Sequence, residues 1–342
     1  MGLASKLAAA QSAVNALGGQ GQYGQGQGQY GQGQGQYGQG QYGQGQYGQG
    51  QYSQGQGQFG QGSGQYSGNY LSLLQKAVQE NRLESFYSPV RLQQIASNIS
   101  GQLDQIVQNW RIPMEIAVDL VRLALYDIVL FVDDSGSMAF EENGERIDDL
   151  KLIVGRIAYA ASLFDNDGIQ VVFLNNQQGG NHITNDHQAN ELIANTKFHG
   201  LTPLGTNLMS KVIQPRITGP VQSGCLNKPV LVITITDGQP QGESDGTIFR
   251  TIKQAKDIVS SSRYGPGALA FQFAQVGNDM KAREFLAQLD KDNNVGHLVD
   301  CTSTFEIEQD EMAKLGVDLT PTTWLVKLLL GSIDRSYDTQ DE

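Results

Sequence analysis

Two short runs carry the oxygen atoms from which a cation site can be built. Asp133-Asp134-Ser135-Gly136-Ser137-Met138 places two carboxylates and two hydroxyls on one tight turn. Asp133, Ser135 and Ser137 are alternate residues, so their side chains can converge on one point. Gly136 is expected to let the backbone bend between the serines. Thr236-Asp237-Gly238 offers a further carboxylate, and between the two runs lies Thr202-Pro203-Leu204-Gly205-Thr206-Asn207-Leu208, with two more hydroxyls. Hard divalent cations take oxygen ligands, and Mg²⁺ takes them octahedrally. Asp134 is expected to face solvent, and the acidic run 141–149 to cap the helix that follows it.

Both runs are placed where strands should end. Ile128–Val132 is apolar throughout and reads as a buried strand running into Asp133. Pro229–Thr236 does the same before Asp237. Around them the pattern predicts a helix over Ile147–Leu163, a turn at 165–168 and a strand over Ile169–Leu174. A helix over Thr247–Ser262, a strand over Ala268–Val276 and a helix capped by Asn278 or Asp279 and running to Leu289 complete it. Strand–helix alternation implies an α/β domain with a mostly parallel sheet covered on both faces. Such sheets bind ligands beyond the carboxyl ends of their strands. The pattern does not fix the strand order.

The D-x-S-x-S turn at 133–137, the T-P-L-G-T loop at 202–206 and the T-D-G strand end at 236–238 together resemble the von Willebrand factor A (vWA) domain and its metal-ion-dependent adhesion site. The resemblance covers residues 127–331. More narrowly, YDIVLFVDDSGSM, GERIDDLKLI, TPLGTNL, PVLVITITDG, FAQVGND and WLVKLLLGSID are similar to intracellular A-domain proteins found mainly in fungi. The resemblance implies a doubly wound, Rossmann-like fold and a cytoplasmic location. It implies a site for Mg²⁺, or for Mn²⁺ or Ca²⁺ in its place. Ser135 and Ser137 would bind the metal through their hydroxyls, and Thr202 directly or through water. Asp133 and Asp237 would act largely through bound waters. One position would stay open for an Asp or Glu carboxylate of a protein partner. Thr206 is the rival loop hydroxyl, and the other role open to Thr202 is to cap the helix beginning near Pro203.

Catalysis is not expected. Ser135 has no histidine in fixed relation and no G-x-S-x-G around it, and no phosphate-binding G-x-x-x-x-G-K-[ST] run occurs. His182, His187, His199 and His297 lack zinc-ligand spacing. The turn at 165–168 echoes part of a calcium loop, but Leu163 and Leu174 stand where that loop needs acids.

The rest of the chain divides sharply by composition. Of its 342 residues 35 are acidic and 23 basic, a net of −12, yet between Lys6 and Lys76 there is no charged side chain. The charge therefore belongs to the later part, where it argues against nucleic acid as a partner. Residues 1–17 form a short helix with Leu3, Leu7, Ala10, Val14 and Leu17 on one face, able to lie on a membrane or dock on a helix. Residues 18–68 repeat GQYGQ with Tyr or Phe every five or seven positions, a composition expected to be disordered and prone to self-association. That tract supports a second reading of the chain as a condensate-forming scaffold. A copine-like peripheral membrane role rests only on residues 1–17 and is disfavoured by the acidic charge. Residues 69–126 read as a helical extension packed on the 127–331 domain, with Pro113 in the first turn of a helix carrying Met114, Val118, Val121 and Leu125 on one face. Residues 332–342 read as an acidic tail. Cys225 and Cys301 are expected to be reduced core residues.

Overall fold

In the computed structural model, which describes residues 2–17, 70–165 and 167–337, the chain opens with helix α1 (Leu3–Leu17). The Gly/Gln/Tyr tract lies outside the described residues. The extension then forms α2 (Tyr70–Glu80), α3 (Pro89–Ser97) and α4 (Ser100–Trp110). Ser88 starts α3 by accepting the Arg91 N–H, with Pro89 in the first turn. A short helix, α5 (Met114–Ala117), runs on as a 3₁₀ turn over Val118–Leu125. Pro113 stands at the cap of α5, with extended backbone, rather than in its first turn. The expected one-sided stripe is also absent, because every residue of Val118–Leu125 is buried, Asp119 and Arg122 included. The segment is packed against several helices at once, so no face is left for water.

The central strand β1 (Asp127–Val132) is buried from Ile128 onward, as a strand covered on both faces must be. After it come α6 (Ser137–Phe140), α7 (Glu145–Phe164), β2 (Ile169–Phe173), β3 (Gly180–Ile183) and α8 (Asp186–Ala194). Helix α9 (Leu204–Asn207) leads into a π-helical stretch, Leu208–Thr218, and α10 (Gly219–Ser223). Pro215 interrupts that stretch, and the Arg216 guanidinium donates to the Lys211 carbonyl within it. The chain closes with β4 (Val230–Thr236), α11 (Thr247–Ser260), β5 (Leu269–Gln275), α12 (Met280–Lys291), β6 (Val299–Thr302), α13 (Phe305–Lys314) and α14 (Pro321–Leu330).

The six strands form one sheet in the order β3-β2-β1-β4-β5-β6, parallel except for β3. The order turns back at β1, which pairs with β2 on one side and β4 on the other. Helix α7, α14 and the 118–125 turn pack together on one face, while α9, its π-helical continuation and α11 pack on the other. The two outer strands escaped the sequence pattern. Gly180–Ile183 is short and half polar, and Val299–Thr302 carries a buried Asp300, whose carboxylate accepts from the Gln272 side chain at 2.6 Å.

The extension shares one apolar core with the sheet domain, through Leu74, Leu103, Ile106 and Leu120 among others. It seals the amino ends of the strands. Tyr87 donates to the Leu125 carbonyl before β1, Arg91 to Asn227 before β4, and Ser85 to Tyr264 before β5, at 2.5, 3.4 and 3.0 Å. Gly267 permits this closeness, since a Cβ there would lie 1.7 Å from the Asn81 carbonyl oxygen. The carboxyl ends are left clear. Past the boundary drawn at 331 the chain stays packed, with Ile333, Asp334 and Tyr337 buried. Residues 338–342 lie outside the described residues. Cys225 is exposed and not in the core, Cys301 is half-buried, and they form no disulfide. Among the described residues no helix is long and apolar enough to cross a membrane.

Candidate metal centre

Strands β1 and β4 pair in register, Val132 beside Ile235, so the residues just after them meet. The Asp133 N–H still donates to the Ile235 carbonyl, which anchors the first acid at the strand end. Its side chain then organises the turn. Oδ1 accepts the Ser135 N–H at 2.9 Å, and Oδ2 accepts the Thr236 hydroxyl of β4 at 2.7 Å. The two serine hydroxyls lie 3.1 Å apart, and Ser137 Oγ donates to Asp237 Oδ1 at 3.1 Å. Four of the five expected metal residues, Asp133, Ser135, Ser137 and Asp237, are thus linked by one chain of side-chain and turn hydrogen bonds. Gly136 at the bend has φ −62°, a value open to any residue, so the turn does not use glycine's freedom. The Asp133 bond, and that of the Gly136 N–H to the Gly200 carbonyl at 3.2 Å, hold it instead.

The fifth residue sits on the loop between them. His199 N–H donates to the Asp134 carbonyl and Gln241 N–H to the Thr202 carbonyl, so the 199–202 segment is pinned to both strand ends. Thr202 is buried, and its hydroxyl makes no hydrogen bond among the described residues. It does not cap α9, where Pro203 holds the cap position without a side-chain bond. Glu243 does that work. Its carboxylate accepts from the Gly205 and Thr206 N–H groups at 3.0 and 2.7 Å and from the Thr206 hydroxyl at 2.7 Å. Thr206 is exposed and committed to Glu243, which leaves Thr202 as the unengaged hydroxyl of the loop.

Asp134 corrects an expectation. It is wholly buried, and its carboxylate accepts the Asn175 and Asn176 N–H groups at 2.6 and 2.9 Å and the Asn176 side-chain amide. A carboxylate with that many donors belongs inside. It fixes the turn after β2, whose carbonyls at Phe173, Asn175 and Asn176 also accept from Lys211 at 2.9–3.1 Å.

The acidic run 141–149 likewise does something other than cap. Helix α7 begins at Gly144 with no side-chain cap. Glu141 and Glu142 turn instead to Arg146, a residue that spacing alone did not single out. Arg146 is fully buried and bonds Asp237 Oδ2 at 2.5 Å, Glu142 at 2.7 Å and Glu141 at 2.7 Å. Glu142 in turn accepts the Asn278 N–H at 3.0 Å. Gly277, at φ +72°, makes room for this, because a Cβ there would stand 2.4 Å from Arg146 Nε. The available signal was an arginine four residues after a glutamate inside an acidic run.

The electrostatics are unbalanced. Burial, then the neighbouring Asp237 charge, push the Asp133 carboxyl up to about 6, against the pull of Thr236 and Ser135. Burial also raises Asp237, while Arg146 and Ser137 hold it back. Burial works against the Arg146 cation, and its bonds to Glu142 and Asp237 overcome that and raise its pKa. So of the two buried acids only Asp237 has a cation, and that guanidinium also serves Glu141 and Glu142. The donor set is entirely hard oxygen, which fits Mg²⁺. In an octahedron with bonds of about 2.1 Å, adjacent oxygens lie about 3.0 Å apart. The 3.1 Å between the Ser135 and Ser137 hydroxyls matches such an edge. No group of three or more His, Cys, Asp or Glu suited to a metal occurs among the described residues, so any cation here depends on the hydroxyls.

No protein-family model matches the chain, and comparison with curated proteins finds no match. Solved structures similar to it include two that align over 59% of the chain. One is proximal thread matrix protein 1 from the mussel byssus, at 18% identity and a TM-score of 0.39. The other is the pilus adhesin SpaC from Lactobacillus rhamnosus GG, at 14% identity and 0.37. The aligned region spans 47% and 30% of those chains, respectively.

Proposed function

We propose that this chain is a vWA-type binding module, not an enzyme, that holds Mg²⁺ at the carboxyl ends of β1 and β4 and uses it to bind a protein partner. The observation that carries the reading is the linked set Asp133, Ser135, Ser137 and Asp237, with two buried acids and one arginine, which pairs with Asp237 alone of the two. Ser135, Ser137 and Thr202 would hold the metal through hydroxyls, and Asp133 and Asp237 through ordered water. Bound there, the cation supplies a Lewis-acidic position for one carboxylate oxygen of an Asp or Glu on the partner. The chain's own residues do the positioning. Thr236 and the Ser135 N–H orient Asp133, and Arg146 takes one Asp237 oxygen so that the other faces Ser137. Asp134 and Lys211 brace the neighbouring turn. We place the protein in the cytoplasm on its resemblance to intracellular A-domain chains.

Calorimetric titration of Mg²⁺ into the full chain and into Ser137→Ala tests this. Saturable binding by the first and its loss in the second is the expected result. Indistinguishable heats from the two proteins would overturn it.

A further inference from the structure

The lone charge at the start of the chain has a buried counterpart. Lys6 Nζ lies 2.6 Å from Asp119 Oδ2 and 4.6 Å from the centre of the Tyr337 ring, with Ser336 Oγ at 3.4 Å. Leu3, Ala4 and Leu7 of the same helix are buried beside it, while Ser5, Ala8 and Ala9 face out. Helix α1 therefore lies in a groove formed by the 118–125 turn and the segment after α14. Over Leu3–Leu7 this is the apolar face that a membrane or partner helix would have used, and the chain's own fold covers that part of it.

The groove is built to survive without its occupant. Asp119 also accepts from Arg122 at 3.0 Å and from the Tyr337 hydroxyl at 2.6 Å, and Arg122 reaches on to Asp334 at 3.1 Å. Removing Lys6 leaves the Asp119 carboxylate with two donors, so undocking strands no bare buried charge. It does leave two acids, Asp119 and Asp334, around one guanidinium, so the empty groove is selective for a helix that brings a cation flanked by leucines. Residues 18–69 join α1 to α2, and 52 residues at about 3.4 Å each reach at most roughly 180 Å. That covalent reach extends well past the domain to a neighbour.

We propose that the groove is an exchange site, and that its second occupant is the α1 helix of another copy of this chain. Docking in cis closes residues 18–69 into a loop tied to the fold at both ends. Docking in trans links two copies through the same contacts. Tethered docking has an effective concentration on the order of millimolar, so exchange sets in where copies are crowded toward that level. This does not depend on the metal reading, since no residue of the groove belongs to that site.

The test uses a fluorescent peptide of residues 2–17 as the trans occupant. It is titrated, with anisotropy as readout, into the full-length chain and into full-length Lys6→Glu, whose own helix is disabled. If the cis helix fills nine-tenths of the grooves, the variant binds the peptide on the order of tenfold more tightly than wild type. A peptide carrying Lys6→Glu is expected not to bind. Full-length Leu3→Ser/Leu7→Ser repeats the measurement without a charge reversal, in case the first variant folds poorly. Sedimentation of wild type, carried up to about 1 mM, is expected to show mass rising with concentration, and of either variant to show monomer. Absence of peptide binding to both variants, equal binding to wild type and variants, or a wild-type mass still independent of concentration at about 1 mM would each overturn the exchange.

Discussion

Two clusters of buried charge lie in this fold, and they balance differently. Around Asp119 and Asp334 there are two acids and two cations, Lys6 and Arg122, plus the Tyr337 hydroxyl. Around Asp133 and Asp237 there are two acids and one cation, Arg146, whose guanidinium is already divided among Glu141, Glu142 and Asp237. The first cluster joins distant parts of the chain, residues 6, 119, 122, 334 and 337. The second gathers hydroxyls at the open end of the sheet. Balanced charge is what a structural joint needs. A deficit of positive charge beside hard oxygen donors is what a cation site leaves for its ion.

The sharpest way to break this comparison is to remove a cation from the balanced cluster. Arg122→Met leaves Asp119 and Asp334 buried without their shared partner. It is expected to cost about 3–5 kcal/mol of stability, read from urea unfolding of the full chain, with Mg²⁺ affinity of the folded protein unchanged. Loss of Mg²⁺ binding at equal folded fraction would show that the clusters are not independent.

Removing an acid from the deficient cluster is expected to act in the opposite direction. Burial and Asp237 lift Asp133 from 3.8 to about 6, which sets roughly 3 kcal/mol against its ionised form. Because the folded value lies above the unfolded one, this group's contribution is present below pH 3.8 and lost as pH rises through about 6. Without divalent cations, Asp133→Asn is therefore expected to be more stable than wild type at pH 8, by about 1–3 kcal/mol, with the difference vanishing by pH 4. In the same window Mg²⁺ must displace a proton as pH falls, so its affinity is expected to drop below about pH 6 in wild type. Thermal melts at pH 4, 6 and 8, with and without Mg²⁺, check both signs. An Asp133→Asn variant less stable than wild type at pH 8 would place the charge deficit elsewhere.

Which residues the fold would gather at the candidate site was partly legible from residue types, and the reasons are local. An apolar strand ending in alternating oxygen side chains can be read from neighbours in sequence, so the gathering of Asp133, Ser135, Ser137 and Asp237 at one end of the sheet could be expected. The sheet's inner strands were legible for the same reason, since β1 and β4 are apolar without a break. What stayed hidden depended on partners far along the chain. Asp134 looked solvent-facing because its donors at 175 and 176 lie a whole helix and strand away. Arg146 looked like one charge in a polar run until the fold set it on Asp237. Strand β6 was obscured by Asp300, whose buried carboxylate accepts from Gln272 beside it on β5. Lys6 was conspicuous, but its partner at 119 carried no sequence signal.

A smaller change tests how Arg146 is held. Gly277→Ala puts a Cβ where φ is +72° and where Arg146 Nε lies 2.4 Å away. The backbone and the guanidinium must both adjust, at an expected cost of about 1–3 kcal/mol. If Arg146 is displaced, Asp237 loses its counter-ion, and added Mg²⁺ is expected to restore more stability to Gly277→Ala than to wild type. Equal restoration would mean that Arg146 keeps its place and that the backbone alone carries the cost.

The smallest effects separate two threonines four residues apart. Thr206 spends its hydroxyl on Glu243, which also caps α9, so Thr206→Val is expected to lose about 0.5–1.5 kcal/mol and leave Mg²⁺ affinity alone. Thr202 is buried with an unengaged hydroxyl, so Thr202→Val, nearly equal in shape, removes no hydrogen bond and is expected to shift stability by less than about 0.5 kcal/mol. Its effect belongs to binding. Losing one oxygen donor at the cation is expected to weaken Mg²⁺ on the order of tenfold, within the range that changes close to a metal produce. Melting and calorimetry on the two variants therefore give crossed results, stability moving in one and affinity in the other. The reverse crossing would make Thr206 the loop ligand, and would require Glu243 to release it when the cation binds.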